Sequence, residues 1–323
     1  MTLTRREGLR LAGAAAASAI LTRPANADVW PTHPIKAVIP FTAGATVDIV
    51  GRIVLERLSV RLGQPIVVEN RGGAGGSIGT AVVAKSDPDG YTMLVHASAH
   101  SAAPAAYANL PYDTANDFAA VATFGTVPNV TVVAPSKGIK TLKELVARAK
   151  SGSMTFASAG VGSATHWAAE RLRVSAGFNA THIPFRGPES LTEVMAGRVD
   201  FMCIGVSAAL GFLRSGQLIP LAVSTLQRSR ALPDVPTTTE LGYANSDYNF
   251  WMGMLVPAKT SRDLVDRLYR TIQEVLITPT VIEKFAPQGI EPMPLTPKEF
   301  DALIVREIAA NKELVKATGM KVN

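Results

Sequence analysis

The sequence "VVENRGGAGGSIGTA" (residues 67–81) contains Gly75-Gly76-Ser77-Ile78-Gly79, a literal G-x-S-x-G. In a nucleophile elbow the strand runs straight into this motif, because the strained turn is what lifts the serine. Here residues 70–74 intervene, no HGGG-type oxyanion segment is visible, and the motif follows the second expected strand. A secreted serine hydrolase using Ser77, with His166 or His182 as base, is the enzyme alternative; the blander reading makes Ser77 a helix N-cap. Gly73-x-Gly75-x-x-x-Gly79 has the wrong last spacing for a dinucleotide loop. Two other loops carry more promise. "PFTAGATVD" (residues 40–48) leaves a strand and enters a helix, where free N–H groups and the helix dipole suit an anion. It has no Lys or Arg, so a carboxylate there would meet neutral amides and the hydroxyls of Thr42 and Thr46. "SAGVGSATH" (residues 158–166) repeats the strand–loop–helix order. By spacing alone the first is as readily a simple strand-to-helix turn, and the second more readily one.

The remaining chemistry-bearing residues exclude more than they offer. Cys203 is the only cysteine and sits in the apolar run "VDFMCI", so it reads as a buried, inert thiol with no disulfide, zinc or thioredoxin role. His100 and His166 lie near the loops, but no histidine pair has metal spacing. No catalytic residue, metal or cofactor is assigned. Trp251 opens a segment expected to cross between domains, as core or as an apolar wall.

The elements that would position these loops alternate. Strands are expected at 35–40, 65–69, 92–95, 129–133, 154–158, 181–185, 199–204 and 218–224. Helices are expected at 46–61 (Val47, Val50, Val54 and Leu58 inward), near 77–85, after Thr141-x-x-Glu144, after residue 163, and at 189–196 with Gly197 as cap. Past residue 256 the chain turns helical, with starts at Thr280-x-x-Glu283 and Thr296-Pro297-x-Glu299. The β-α-β order implies two largely parallel, doubly covered sheets and a ligand cleft between two lobes.

At the N-terminus, Arg5, Arg6 and Arg10 precede an eleven-residue apolar stretch and the small-x-small site Ala25-Asn26-Ala27. This reads as an export signal cleaved near Ala27, by the general or the twin-arginine route, and too short to span a membrane. It holds four arginines and one glutamate, so the net charge falls from +6 to +3 on removal, too mild to imply nucleic acid.

Taken in order, "IPFTAGATVDIVGR", "LGQPIVVENRGGAGGSIGT", "DPDGYTML", "LPYDTANDFAAV", "PNVTVVAP", "FASAGVGSATHWAAE", "HIPFRGPESLTEVMAGRVD", "ALPDVPTTTELG" and "WMGMLVPA" resemble the Bug family of extracytoplasmic solute receptors, the substrate-binding components of tripartite tricarboxylate transporters. "RGGAGG" is similar to the family's "RPGAGG", with Gly72 for proline. The resemblance implies a two-lobed α/β periplasmic binding protein of type II, with residues 28–129 plus 250–323 in one lobe and 130–249 in the other. It implies a monomer that closes on a small carboxylate and passes it to membrane subunits, or a sensor receptor of the same build. The matching cleft positions are Phe41, Thr42, Ala43, Gly44, Ala45, Thr46 and Asp48 from the first loop, and Ser158, Gly160, Val161, Gly162, Ser163 and His166 from the second. Ser98, His100, Phe185, Arg186 and Trp251 border the same cleft. Ala45 and Pro188 stand where the family usually has glycine, Val47 where it has a small hydroxyl residue, and Ile204 and Gly205 where it often has a polar residue such as Asp; the lost polar contacts point to a more apolar carboxylate, aromatic ones included.

Overall fold

The computed structural model describes residues 30–185 and 189–319. The export signal and Arg186, Gly187 and Pro188 lie outside them.

The first sheet grows from short β-α units. β1 (Ile35–Ile39) leads through α1 (Thr46–Leu62) to β2 (Ile66–Asn70), and α2 (Ser77–Ala84) leads to β3 (Thr92–Ala97). α1 buries Val47, Val50, Val54, Leu55 and Leu58 along one face and ends at Gly63, whose φ of 72° gives the left-handed cap that a side chain disfavours. After α3 (Ala99–Ala106), the ten-residue β4 (Phe118–Val127) completes the first pass.

Only Pro128 separates β4 from β5 (Asn129–Val133), which opens the second sheet. There follow α4 (Leu142–Ser151), β6 (Thr155–Ser158), α5 (Ala164–Ala176), β7 (Thr181–Pro184), α6 (Glu189–Met195), β8 (Phe201–Gly205), α7 (Val206–Arg214) and β9 (Ile219–Val223). The chain returns through residues 224–249 to β10 (Phe250–Pro257) and ends in α8 (Arg262–Leu276), α9 (Pro279–Phe285) and α10 (Pro297–Thr318). α10 starts on the expected capping box, the Thr296 hydroxyl accepting from the Glu299 amide and the Glu299 carboxylate from that of Thr296. α9 starts at Pro279, with Thr278 rather than Thr280 at the cap, because proline pre-sets the first helical φ.

The strand orders are β2-β1-β3-β10-β4 and β7-β6-β8-β5-β9. The fold is the expected two-lobed α/β arrangement, but the sheets are mixed rather than mostly parallel. β1 pairs parallel with β2 and β3, and β6 with β7 and β8, whereas β10 and β5 run antiparallel to both of their neighbours. The reason is connectivity: β5 enters its sheet directly from β4 and β10 returns from the second sheet, so neither arrives by a covering helix.

These directions place the loops. β3 and β4 both oppose β10, so the carboxyl ends of β1, β2, β3 and β4 share the edge where the chain crosses at Pro128. β5 starts at that crossing with Asn129 paired to Gly205 at the end of β8, which brings the carboxyl ends of β6, β7 and β8 to the same side. Ligands of open α/β sheets bind beyond such carboxyl ends. The core continues across the crossing: Ala102 of α3 and Leu314 of α10 pack in one cluster with Phe156, Trp167 and Phe201 of the second sheet and its helices.

Candidate functional site

The loop between β1 and α1 is held open by one buried carboxylate. Asp48 Oδ2 accepts from the Gly44 amide (2.9 Å), while Oδ1 accepts from Arg52 Nε (2.9 Å) and Asn70 Nδ2 (2.8 Å). Asn70 Nδ2 also donates to the Phe41 carbonyl (3.0 Å), and its Oδ1 accepts from Arg52 Nη2 (2.8 Å). Burial pushes the Asp48 pKa up, but the bonds from Asn70, Gly44 and Arg52 outweigh it and hold the group below the usual carboxylate range. Asp48 is thus turned inward at 3 % exposure and positions the loop, rather than facing into the cleft.

What the loop presents is backbone. Thr42, Ala43 and Gly44 are exposed, as is Thr46, and among the described residues nothing accepts from the Thr42 and Ala43 amides. Ala45, not Thr46 or Asp48, occupies the N-cap and makes no side-chain cap. Phe41 is half-buried, its ring edge-on to His96 at 5.3 Å.

The opening glycine motif buttresses this loop. A Cβ at Gly79 would lie 2.7 Å from the Arg71 carbonyl oxygen and 2.9 Å from Pro40 Cβ, so only glycine lets the loops meet. Gly79→Ala should cost about 1–3 kcal/mol by overpacking backbone, read as a lower urea midpoint at unchanged m-value. Ser77 has helical φ/ψ of −63° and −30° and is buried, the opposite of an exposed, strained elbow. The expected serine cap is also corrected: Gly76 holds the N-cap position at φ 96°, a conformation that serine disfavours.

The second loop is largely self-satisfied. The Ala159 amide donates to Thr165 Oγ1 (2.9 Å), Gly160 to Ser158 Oγ (3.1 Å), Gly162 to His166 Nδ1 (3.1 Å) and Ser163 to the Gly160 carbonyl (3.2 Å). Ser163 caps α5 by accepting from the His166 amide, and Val161 is left 46 % exposed at the tip. Beneath, His166 and His182 stack at 3.8 Å, and Ser158 Oγ lies 2.6 Å from His182 Nε2. Burial pushes His166 down to about 3, helped by His182 and Arg173, and burial pushes His182 to about 4. Both are neutral rings holding a wall. Phe185, half-buried after β7, donates its amide to the Ser158 carbonyl.

Three residues expected at the cleft lie inside the protein. Trp251 is fully buried against Phe300, its Nε1 donating to Glu307 Oε2 (2.8 Å). His100 is buried between His96 and Phe118, and burial pushes it down to about 3. Ser98 is 1 % exposed with its hydroxyl 2.9 Å from that of Tyr248. Ser98 and His100 follow the end of β3 and Trp251 lies at the start of β10, positions that motif order alone places at the cleft, but packing turns the side chains into the core. Tyr248, Glu307 and Asn70 were not anticipated, because their partners are far apart in sequence. Arg171 adds a tie across the lobes, donating to the Asp247 carbonyl (2.7 Å) and to Asn311 Oδ1 of α10 (3.0 Å).

Cys203 is buried beside the Thr131 hydroxyl (3.3 Å), and burial pushes its thiol up to about 12. Among the described residues, no three His, Cys, Asp or Glu side chains group to hold a metal. No described helix is long and apolar enough to cross a membrane.

A two-lobed frame with an exposed, cation-free strand-to-helix loop is a receptor's arrangement, and comparison with known proteins decides which receptor. The sequence model of the "Tripartite tricarboxylate transporter family receptor" matches residues 50–320. The chain belongs to this receptor family. The receptor is 35% identical to "Protein BugT" of Bordetella pertussis, over 99% of both chains. It is also similar to the solved structure of the periplasmic binding protein BugD, with 32% identity and a TM-score of 0.72 over 90% of this chain and 99% of that one. A third likeness is the R. palustris protein Rpa4515, solved with adipate, at 29% identity and a TM-score of 0.76 over 90% and 99% of the two chains. The resemblance read from the ordered motifs is borne out, and the chain is a periplasmic-type solute receptor of a transport system rather than an enzyme.

Proposed function

We propose that this receptor captures a small organic carboxylate on the amides of Thr42 and Ala43, closes its lobes over it, and delivers it to the membrane subunits of a tripartite tricarboxylate transporter. The observation that carries this reading is the exposed, cation-free loop whose Thr42 and Ala43 amides find no acceptor among the described residues, just ahead of a helix N-terminus. The loop tip at Val161 and the half-buried Phe185 supply the facing wall, and their apolar character favours an apolar acid body over a hydroxylated one. The adipate in Rpa4515 is compatible with that class. Residues 28–129 with 250–323 form one lobe and 130–249 the other, a division supported by the strands that each sheet contains. We place the mature receptor in the periplasm as a monomer, exported by the signal that ends near Ala27.

The test is a carboxylate panel, adipate included, screened by thermal shift and then calorimetry. A true ligand raises the melting point in proportion to RT ln(1 + [L]/Kd). Ala43→Asp sets a like charge where the anion would sit, on an exposed residue that folding does not need. It should weaken binding at least tenfold with an unchanged melting point of the free protein; equal affinity in that variant would defeat the loop assignment.

A further inference from the structure

A second cavity, of about 490 Å³ and lined by none of the residues of these loops, lies between α8, α9 and the segment 289–294. Its volume falls in the range of small-molecule sites. Leu276, Ile277, Ile282, Phe285, Ile290 and Met293 make its lining mostly apolar. Ile277 and Ile282 stand at its rim, 74% and 55% exposed, which is costly apolar surface to leave in water.

Glu291 is engaged: Oε1 accepts from Ser229 Oγ (2.7 Å) and from the Arg230 amide (2.8 Å). Thr123 donates its hydroxyl to the Met293 carbonyl. Among the described residues the buried Gln273 Nε2 has no partner, the exposed Arg230 guanidinium makes no protein bond, and Glu291 commits Oε1 to Ser229 and Arg230. An apolar hollow with a cation at its mouth and a buried amide N–H open to it can take an anionic head on an apolar body, seated on the Gln273 and Arg230 side away from Glu291.

The place of this hollow in the fold adds a consequence. Arg230 and Ala231 follow β9 of the second sheet, whereas α8, α9 and residues 289–294 belong with the first. Glu291 joins the two, exchanging backbone hydrogen bonds with Thr126 of β4 while its carboxylate holds Ser229 and Arg230. An occupant therefore touches both lobes, and its binding is coupled to their closure in both directions.

We infer that this hollow is a second binding site, for an amphipathic organic anion such as a medium-chain carboxylate, and that its occupant biases lobe closure. Isoleucine-methyl NMR of the whole protein, titrated with octanoate, tests it. Saturable shifts are expected at Ile277, Ile282 and Ile290. They should persist in Ala43→Asp, so that this site stands or falls separately from the loop site. Arg230→Glu and Ile277→Glu, both at exposed positions, should each weaken octanoate at least tenfold while leaving the fold intact. Octanoate that shifts only methyls elsewhere, fails to saturate, or binds Arg230→Glu as tightly as the parent would overturn the inference.

Discussion

Lowering the pH from 7 to 4 should destabilise this receptor by roughly 7 kcal/mol, a large share of the ~5–15 kcal/mol that holds a typical domain. The cause is the set of buried imidazoles. His100 and His166 both sit near 3 in the folded protein because burial disfavours the charged ring, against an ordinary value of 6.5. The unfolded chain therefore takes up protons first as the pH falls, and stability present above pH 6.5 is lost progressively down to about pH 3. Each such group contributes up to about 1.4 kcal/mol per pH unit across that window. His96, pushed down by burial and by His100, adds to the slope, and the less buried His182 adds a smaller part. Glu307 works in the opposite sense. Burial holds its pKa up despite the bonds from Ser101 and Trp251, so its contribution is largest at low pH and fades as pH rises, offsetting part of the loss. Urea unfolding followed from pH 7 to 4 measures the sum, and His100→Phe should flatten the slope by close to one group's worth. A stability curve level across that range would mean that the imidazoles are not held neutral.

Asp48→Ala is expected to be the most damaging single change near the loop, at about 3 kcal/mol of stability and more than tenfold in carboxylate affinity. Removing the carboxylate strands the donors of Gly44, Arg52 and Asn70, and unpaired donors in a half-buried site cost more than the bonds themselves contribute. The Arg52 side chain is half exposed and can rehydrate, which keeps the cost at the lower end of that for a fully buried pair. Free of Gly44, the 41–45 loop would sample conformations in which its amides no longer converge. Asn70→Ala should reproduce the affinity loss with a smaller stability loss, since Arg52 and Gly44 keep their acceptor. Denaturation and calorimetry on the two variants read both quantities, and an Asp48→Ala protein that binds adipate or another panel ligand like its parent would show that the carboxylate does not organise the loop.

Most of the frame was legible before any coordinates. Apolar runs located every described strand except β4 and β10 to within a residue or two, and the capping boxes and left-handed glycines marked several helix ends. The misses have identifiable causes. β4 is "FAAVATFGTV", rich in alanine and glycine and buried on both faces, so it lacks the two-residue alternation that marks a strand. α3 carries Pro104 inside "AHSAAPAA" and shows no amphipathic stripe. α7 begins directly at the end of β8, with no polar turn to announce it. The parallel bias was over-read because β-α alternation says nothing about the strands by which the chain crosses between sheets.

The candidate site divides along the same line. Local order was enough to show that "PFTAGATVD" and "SAGVGSATH" are strand-to-helix loops, that the first lacks a cation, and that the lone cysteine is buried in an apolar strand. These properties depend on neighbours within a few residues, where backbone geometry is set by residue type. Some of the decisive partners lie far along the chain, Asn70 on Asp48 and Glu307 on Trp251, whereas the second loop's amides are taken up from within the loop, by Thr165 and His166. Hydrogen-bond satisfaction and burial are properties of the packed whole, so the first loop could be seen to offer its backbone, the second to consume its own, and Trp251 and His100 to lie in the core, only once the sheets were assembled.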